Sequence, residues 1–227
     1  MAEAERAGRH IRSYVLRTGR FSDSQKRAYN ALSGKFVIPF QDSPVDLQEL
    51  FGNDRPVTLE IGFGMGTATA LIADENREKN YLGVEVHRPG IGRLLWEIER
   101  RSLSNIRIIE YDAAVVVEKM LAPLSLDAVH MFFPDPWPKK RHHKRRLIQR
   151  PFTRNLCEAL KPGAYIYMVT DWEDYANWAL EELRATPGLV NSYDGFAPPM
   201  EWRPRTQFEQ KGLDKKHQIR ELFFTKA

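Results

Sequence analysis

A single cysteine, Cys157, excludes an intramolecular disulfide and any cysteine-based zinc cluster. His87 and His130 share no metal-ligand spacing with other residues, so no metal is expected. No apolar run approaches the ~20 residues of a membrane-spanning helix. No basic segment leading into an apolar core opens the sequence, so no secretory signal is expected. Internal repeats and low-complexity segments are also missing. These absences exclude disulfide-framework and membrane-spanning classes and point to a reducing, cytoplasmic setting. What is present suits a folded unit. Of 227 residues, 42% are hydrophobic and 28% charged, both near globular averages, and 11% aromatics argue against disorder.

The net charge of +4 is unevenly spread. Residues 1–35 carry eight bases against three acids, residues 139–150 seven bases and no acid, and residues 201–227 seven bases against four acids. The rest carries 12 bases against 23 acids, so an acidic body has three basic attachments. The attachments suit a polyanion, and the body suits a small cation. Residues 1–40 read as a basic N-terminal arm, and 41–227 as a single domain.

Within that domain, apolar strands alternate with amphipathic helices. After a short helix at 45–51, strands are predicted at 57–61, 81–86, 106–111, 126–133 and 165–170. Helices are predicted near 67–75, 89–102, 114–121, 151–160 and 172–186, with Lys161-Pro162-Gly163 ending the fourth, and a late strand at 219–225. This order predicts an α/β fold, a mostly parallel sheet with helices on both faces. Ligands bind such sheets at the carboxyl ends of the strands. Glu60, Glu85, Asp112, Asp135 and Asp171 lie at or just past the ends of five successive strands. One such acid is commonly a helix cap; five in register point to a site.

The first turn reads Glu60-Ile61-Gly62-Phe63-Gly64-Met65-Gly66-Thr67. The dinucleotide fingerprint G-x-G-x-x-G is not met, because the third glycine comes one residue early. A carboxylate two residues before the first glycine repels a pyrophosphate and suits a cationic nucleoside such as S-adenosylmethionine. This turn resembles the first motif of class I methyltransferases, which implies their Rossmann-like fold. In that pattern Glu85 is placed for the two ribose hydroxyls and Asp112 for the adenine edge.

The most informative stretch is Phe132-Phe133-Pro134-Asp135-Pro136-Trp137-Pro138, followed by Lys139-Lys140-Arg141-His142-His143-Lys144-Arg145-Arg146. Alternate prolines favour extended backbone and would fix the directions of Asp135 and Trp137. An acid beside an aromatic suits a flat base, and the basic tract suits the phosphates around it. This run resembles the signature of the bacterial single-subunit tRNA (guanine-N7)-methyltransferase family. The resemblance spans roughly residues 55–225, including Asp171 and Thr206-Gln207-Phe208-Glu209. It implies methylation of the guanine at position 46 in the tRNA variable loop, EC 2.1.1.33. It implies that Glu60, Gly62, Gly64, Gly66, Glu85, Asp112 and Asp135 hold the cofactor. It places Lys139, Asp171, Thr206, Gln207, Phe208 and Glu209 on the target nucleotide, and Arg141, His142, His143, Lys144, Arg145 and Arg146 on the RNA. Asp135 and Asp171 are the candidate catalytic residues, flanking the guanine. The implied partner is tRNA, with no membrane and no obligatory protein subunit.

Three rivals are weaker. A nicotinamide oxidoreductase is disfavoured by the glycine spacing and Glu60. Amino-methylating DNA enzymes use an Asn/Asp-Pro-Pro-aromatic form that is missing. A silent RNA-binding module leaves the acid set without a purpose. Cys157, among Leu156 and Leu160, reads as a small buried residue.

Overall fold

The computed structural model describes residues 12–15, 19–204, 209 and 218–227. The helices are α1 (Asp23–Phe36), α2 (Leu47–Phe51), α3 (Thr67–Glu75), α4 (Arg88–Arg101), α5 (Ala113–Lys119), α6 (Phe152–Ala159) and α7 (Glu173–Arg184). The strands are β1 (Val37–Ile38), β2 (Val57–Ile61), β3 (Asn80–Val84), β4 (Ile106–Ile109), β5 (Leu126–Phe132), β6 (Leu160–Thr170), β7 (Leu189–Asn191) and β8 (Arg220–Lys226). They form one sheet in the order β1-β4-β3-β2-β5-β6-β8-β7. Neighbours from β1 to β6 pair parallel, and β8 runs antiparallel to both β6 and β7.

The central strands β2, β3 and β5 are buried almost throughout because both faces are covered. On one face Leu59, Leu82, Val129, Ile166 and Phe224 pack under α5, α6 and α7. On the other, Tyr81, Ile106, Ile108, Phe132 and Tyr167 pack under α1, α3 and α4. Each fully buried Leu, Ile, Val or Phe side chain contributes roughly 1.5–3 kcal/mol. Among the described residues no helix is long and apolar enough to cross a membrane.

Of residues 1–40, read from the sequence as an arm, those from Gly19 onward pack into the body. Ser22 closes a capping box with Gln25 at the start of α1. Gly92 leaves room on α4 for Phe21 and the Gln25 carbonyl, which a Cβ would meet at 2.7 and 2.8 Å. Val37 and Ile38 pair with Ile108 and Ile109. The strand expected from Tyr165 begins earlier, at Leu160. Leu126 pairs with Leu160 and Ala128 with Tyr165, so residues 161–164 sit opposite Asp127 alone. Pro162 lacks an N–H and Gly163 has φ 79°, which places a bulge there, within the strand. Lys161 closes it with an ion pair to Asp127 at 2.9 Å.

Candidate functional site

The sheet order sets β4, β3, β2, β5 and β6 side by side and parallel. Asp112, Glu85, Glu60, Asp135 and Asp171 therefore line up in that order along one edge. Behind the edge, Gly62, Gly64 and Gly66 all have left-handed backbone, φ 72°, 59° and 67°. A side chain on Gly62 or Gly64 would meet nothing within 4 Å, so the turn faces open space there. At Gly66 the turn is packed, and a Cβ would lie 2.6 Å from Leu94. The start of α4 presses closer still. A Cβ on Gly90 would sit 1.9 Å from the Gly64 carbonyl oxygen.

Glu85 locks this turn. Its carboxylate accepts hydrogen bonds from Gly64 N–H at 2.8 Å, Val86 N–H at 2.7 Å and His87 N–H at 3.0 Å. A carboxylate has about four lone-pair sites, so the negative charge is held with roughly one direction left for a ligand. Glu60 lies in β2 and is only 2% exposed. Burial, reinforced by the charge of Glu85, pushes its carboxyl up to about 7, against a smaller opposing effect of Thr69. Asp112 caps α5 by accepting the Ala114 N–H at 2.9 Å. It also lines a cleft of about 470 Å³ with Arg12, Tyr14, Val86, Glu110, Tyr111 and Val115. Tyr111 is half exposed there and stacks on Phe40 at 4.1 Å. Burial and the charge of Asp112 push the Tyr14 hydroxyl pKa up.

A second cleft, about 290 Å³, is lined by Val15, Asp135, Pro136, Trp137, Pro138, Lys139 and His142. Asp135 is exposed, and Asp171 is half buried between β6 and α7. The proline run is not extended throughout. Phe133 and Trp137 adopt left-handed backbone at φ 54° and 47°, a conformation that costs an ordinary residue roughly 1–2 kcal/mol. Long-range bonds hold both: Phe133 N–H donates to Val169 O at 2.8 Å, and Trp137 Nε1 to Ser13 O at 2.9 Å. The Arg145 guanidinium lies over the Trp137 ring at 4.9 Å. Residues 12–15 thus run from the first cleft to the second.

The basic tract forms a 3-10 turn over Lys140–Arg145 in which no residue is buried. Arg141 and Lys144 are exposed. Partial desolvation and the surrounding cations hold the His142 pKa below its ordinary value. His143 packs against Trp178, ring centroids 5.9 Å apart. Arg146, expected on the RNA, is buried with its side chain 0% exposed and has no surface to offer a ligand. Glu209, expected at the nucleotide, also faces inward. Arg203 donates to both its oxygens, at 2.5 and 2.9 Å. The same guanidinium bonds Glu221 and the Tyr167 hydroxyl at 3.1 Å. Thr206, Gln207 and Phe208 lie outside the described residues. This network, the tight place of Gly90 and the interior place of Arg146 carry no mark in the sequence.

A family profile described as "Putative methyltransferase" matches residues 54–222. A tRNA (guanine-N(7)-)-methyltransferase of Nitrosomonas eutropha is 52% identical, with 96% of this chain and 97% of that protein covered. One of Paraburkholderia xenovorans is 53% identical over 96% of this chain and 84% of that protein. The chain belongs to the tRNA (guanine-N7)-methyltransferase family. Among solved structures, the 16S rRNA methyltransferase KamB superposes with a TM-score of 0.57 at 13% identity, covering 94% of this chain and 98% of that one. That likeness shows the fold, the class I methyltransferase arrangement implied by the glycine turn.

Proposed function

We propose that this chain methylates N7 of a guanine in tRNA, at position 46 of the variable loop, with S-adenosylmethionine as donor. The observation that carries the reading is the row of five carboxylates along one sheet edge, in a chain whose relatives bear that activity by name. The site fits the donor. Open space at Gly62 and Gly64 lets a ligand approach the main chain, and Glu85 brings a preformed negative charge to a cationic molecule. Glu60, Gly62, Gly64, Gly66, Glu85, Asp112 and Asp135 are the residues assigned to hold it. When bound, S-adenosylmethionine supplies an electrophilic sulfonium methyl, and guanine N7, with an in-plane lone pair and no proton, takes it by in-line attack without a general base.

The protein then needs no activated nucleophile, and buried Cys157 is not one. Placement supplies most of the rate. Methylation puts positive charge on the guanine ring. Asp135 and Asp171 stabilise that charge and accept hydrogen bonds from N1–H and N2–H. In A-form RNA, N7 faces a deep, narrow groove, so the base must sit in a loop or swing out. Lys139 holds the target nucleotide, and Arg141, Lys144 and Arg145 hold the surrounding phosphates. The reaction needs no obligatory protein partner and takes place in the cytoplasm.

The test is to incubate the protein with labelled S-adenosylmethionine and unmodified tRNA, then cleave the RNA at N7-methylguanosine. Cleavage at one variable-loop guanine supports the reading. Label in DNA or protein, or binding without transfer, overturns it.

A further inference from the structure

Three parts of the candidate site meet at Arg146. Its guanidinium Nε donates to the Pro136 carbonyl at 3.0 Å, one residue past Asp135. Its Nη2 donates to Asp174 Oδ2 in the first turn of α7, three residues past Asp171. Its own backbone N–H, bonded to His143 O at 2.9 Å, closes the basic 3-10 turn. The plane is walled by Tyr175 and Trp178, whose ring centroids lie 5.3 and 5.2 Å away. The side chain is wholly buried, whereas Asp174 is 64% exposed. An enclosed cation with two directed bonds fixes relative positions in a way a solvated one cannot.

We propose that Arg146 is a positioning residue for methyl transfer. It sets the loop carrying Asp135 and the turn carrying Asp171 at a fixed separation, so that both carboxylates face one guanine ring. The inference rests on the reading that these two acids flank the base. A planar fork suits this task, because its nitrogens are held at fixed angles, whereas a lysine ammonium is a point charge on a flexible stem. Arg146 contributes nothing to RNA binding directly, unlike its neighbours Arg141, Lys144 and Arg145.

The experiment uses full-length protein, unmodified tRNA and labelled S-adenosylmethionine. Arg146→Lys and Asp174→Asn are compared with wild type in single-turnover rate, half-saturating tRNA concentration, salt dependence of tRNA binding and melting temperature. Asp174→Asn alters an exposed partner, so the question stays answerable if Arg146→Lys does not fold. The expected result is a saturating rate at least tenfold lower for Arg146→Lys and severalfold lower for Asp174→Asn, with half-saturation and salt slope unchanged. Wild-type rates overturn the proposal, as does weaker tRNA binding with a salt slope reduced by about one unit, the mark of a lost phosphate contact. Asp135→Asn and Asp171→Asn run alongside. If they slow transfer while Arg146→Lys and Asp174→Asn do not, the positioning role fails alone. If neither acid matters, the reading beneath it fails.

Discussion

The two halves of the acidic sheet edge are built by opposite means. Over β2, β3 and β4 the acids are withdrawn: Glu60 is buried, Glu85 is held by three backbone N–H groups, and Asp112 caps a helix. Glycine supplies the left-handed backbone there, and α4 packs hard against it. Over β5 and β6, Asp135 is exposed and Asp171 half buried, and the left-handed positions are Phe133 and Trp137. Rigidity in this half comes from behind, through Arg146, while the front is basic and open. The first half suits a small cation, for which a preformed fit is worth most. The second must admit a folded RNA, so its acids have to remain reachable.

The largest effect tests the open half. Asp171→Asn should slow single-turnover methyl transfer about 100-fold, on the scale of removing one group aimed at a developing charge, with cofactor affinity unchanged. An unaltered rate removes the charge-stabilising role. In the closed half, Gly90→Ala forces a methyl into the Gly64 carbonyl. Overpacking of this kind costs roughly 1–3 kcal/mol, and a displaced turn should also weaken S-adenosylmethionine binding at least tenfold. Calorimetry showing full affinity, together with an unchanged melting temperature, would mean that the turn is indifferent to α4.

Legibility in the sequence follows the same division. Val57, Leu59 and Ile61 are apolar and lead straight into a glycine turn, and the strand occupies Val57–Ile61. The acids just past such strands could be placed on one edge because parallel topology follows from the alternation of elements. Positions fixed by distant partners could not be read. Nothing marks Arg146 as interior within its basic tract, since Asp174, Tyr175 and Trp178 that enclose it lie about a helix further on. Gly90 looks like an ordinary helix start after Pro89, and its necessity comes from Gly64. Phe133 and Trp137 each precede a proline, where local sterics favour extended backbone; bonds to Val169 and Ser13 prevail.

A third contrast separates affinity for RNA from affinity for the cofactor. Replacing Arg141, Lys144 and Arg145 together with Ala should lower the salt slope of tRNA binding by about three, one per lost phosphate contact. S-adenosylmethionine affinity should not move. Unaltered tRNA affinity across a salt titration would strip the basic turn of its assignment.

Smaller and dependent on pH is the effect of Glu60. Its carboxyl is raised from 4.5 to about 7, so between those values the folded protein holds a proton that the unfolded chain has released. That stability is fully present below the ordinary carboxylate range and is lost as pH rises through 7. The ceiling is roughly 3 kcal/mol. Glu60→Gln cannot ionise, so it should melt higher than wild type at pH 8 and match it near pH 4. Cation binding favours the ionised acid, so wild-type cofactor affinity should climb through pH 7 while the variant stays flat. Parallel pH profiles for the two proteins would show that Glu60 does not titrate in this range.

The smallest effect concerns the segment that joins the halves. Residues 12–15 cross from the cleft beside Asp112 to the cleft beside Asp135, and the Trp137 Nε1 bond to Ser13 O ties them to the second. Trp137→Phe deletes that single donor and keeps an aromatic ring beneath Arg145. One hydrogen bond of this kind is worth about 1 kcal/mol, which corresponds to roughly fivefold more frequent local opening. Trypsin cleavage after Arg12 reports it, because slow cleavage of a rapidly reclosing segment tracks the open population. The melting temperature should stay within about 2 °C of wild type, since the body keeps all its contacts. If cleavage is no faster, the crossing is seated by Arg12 and Tyr14 at the cleft beside Asp112, and the two halves share a strap fastened at one end only.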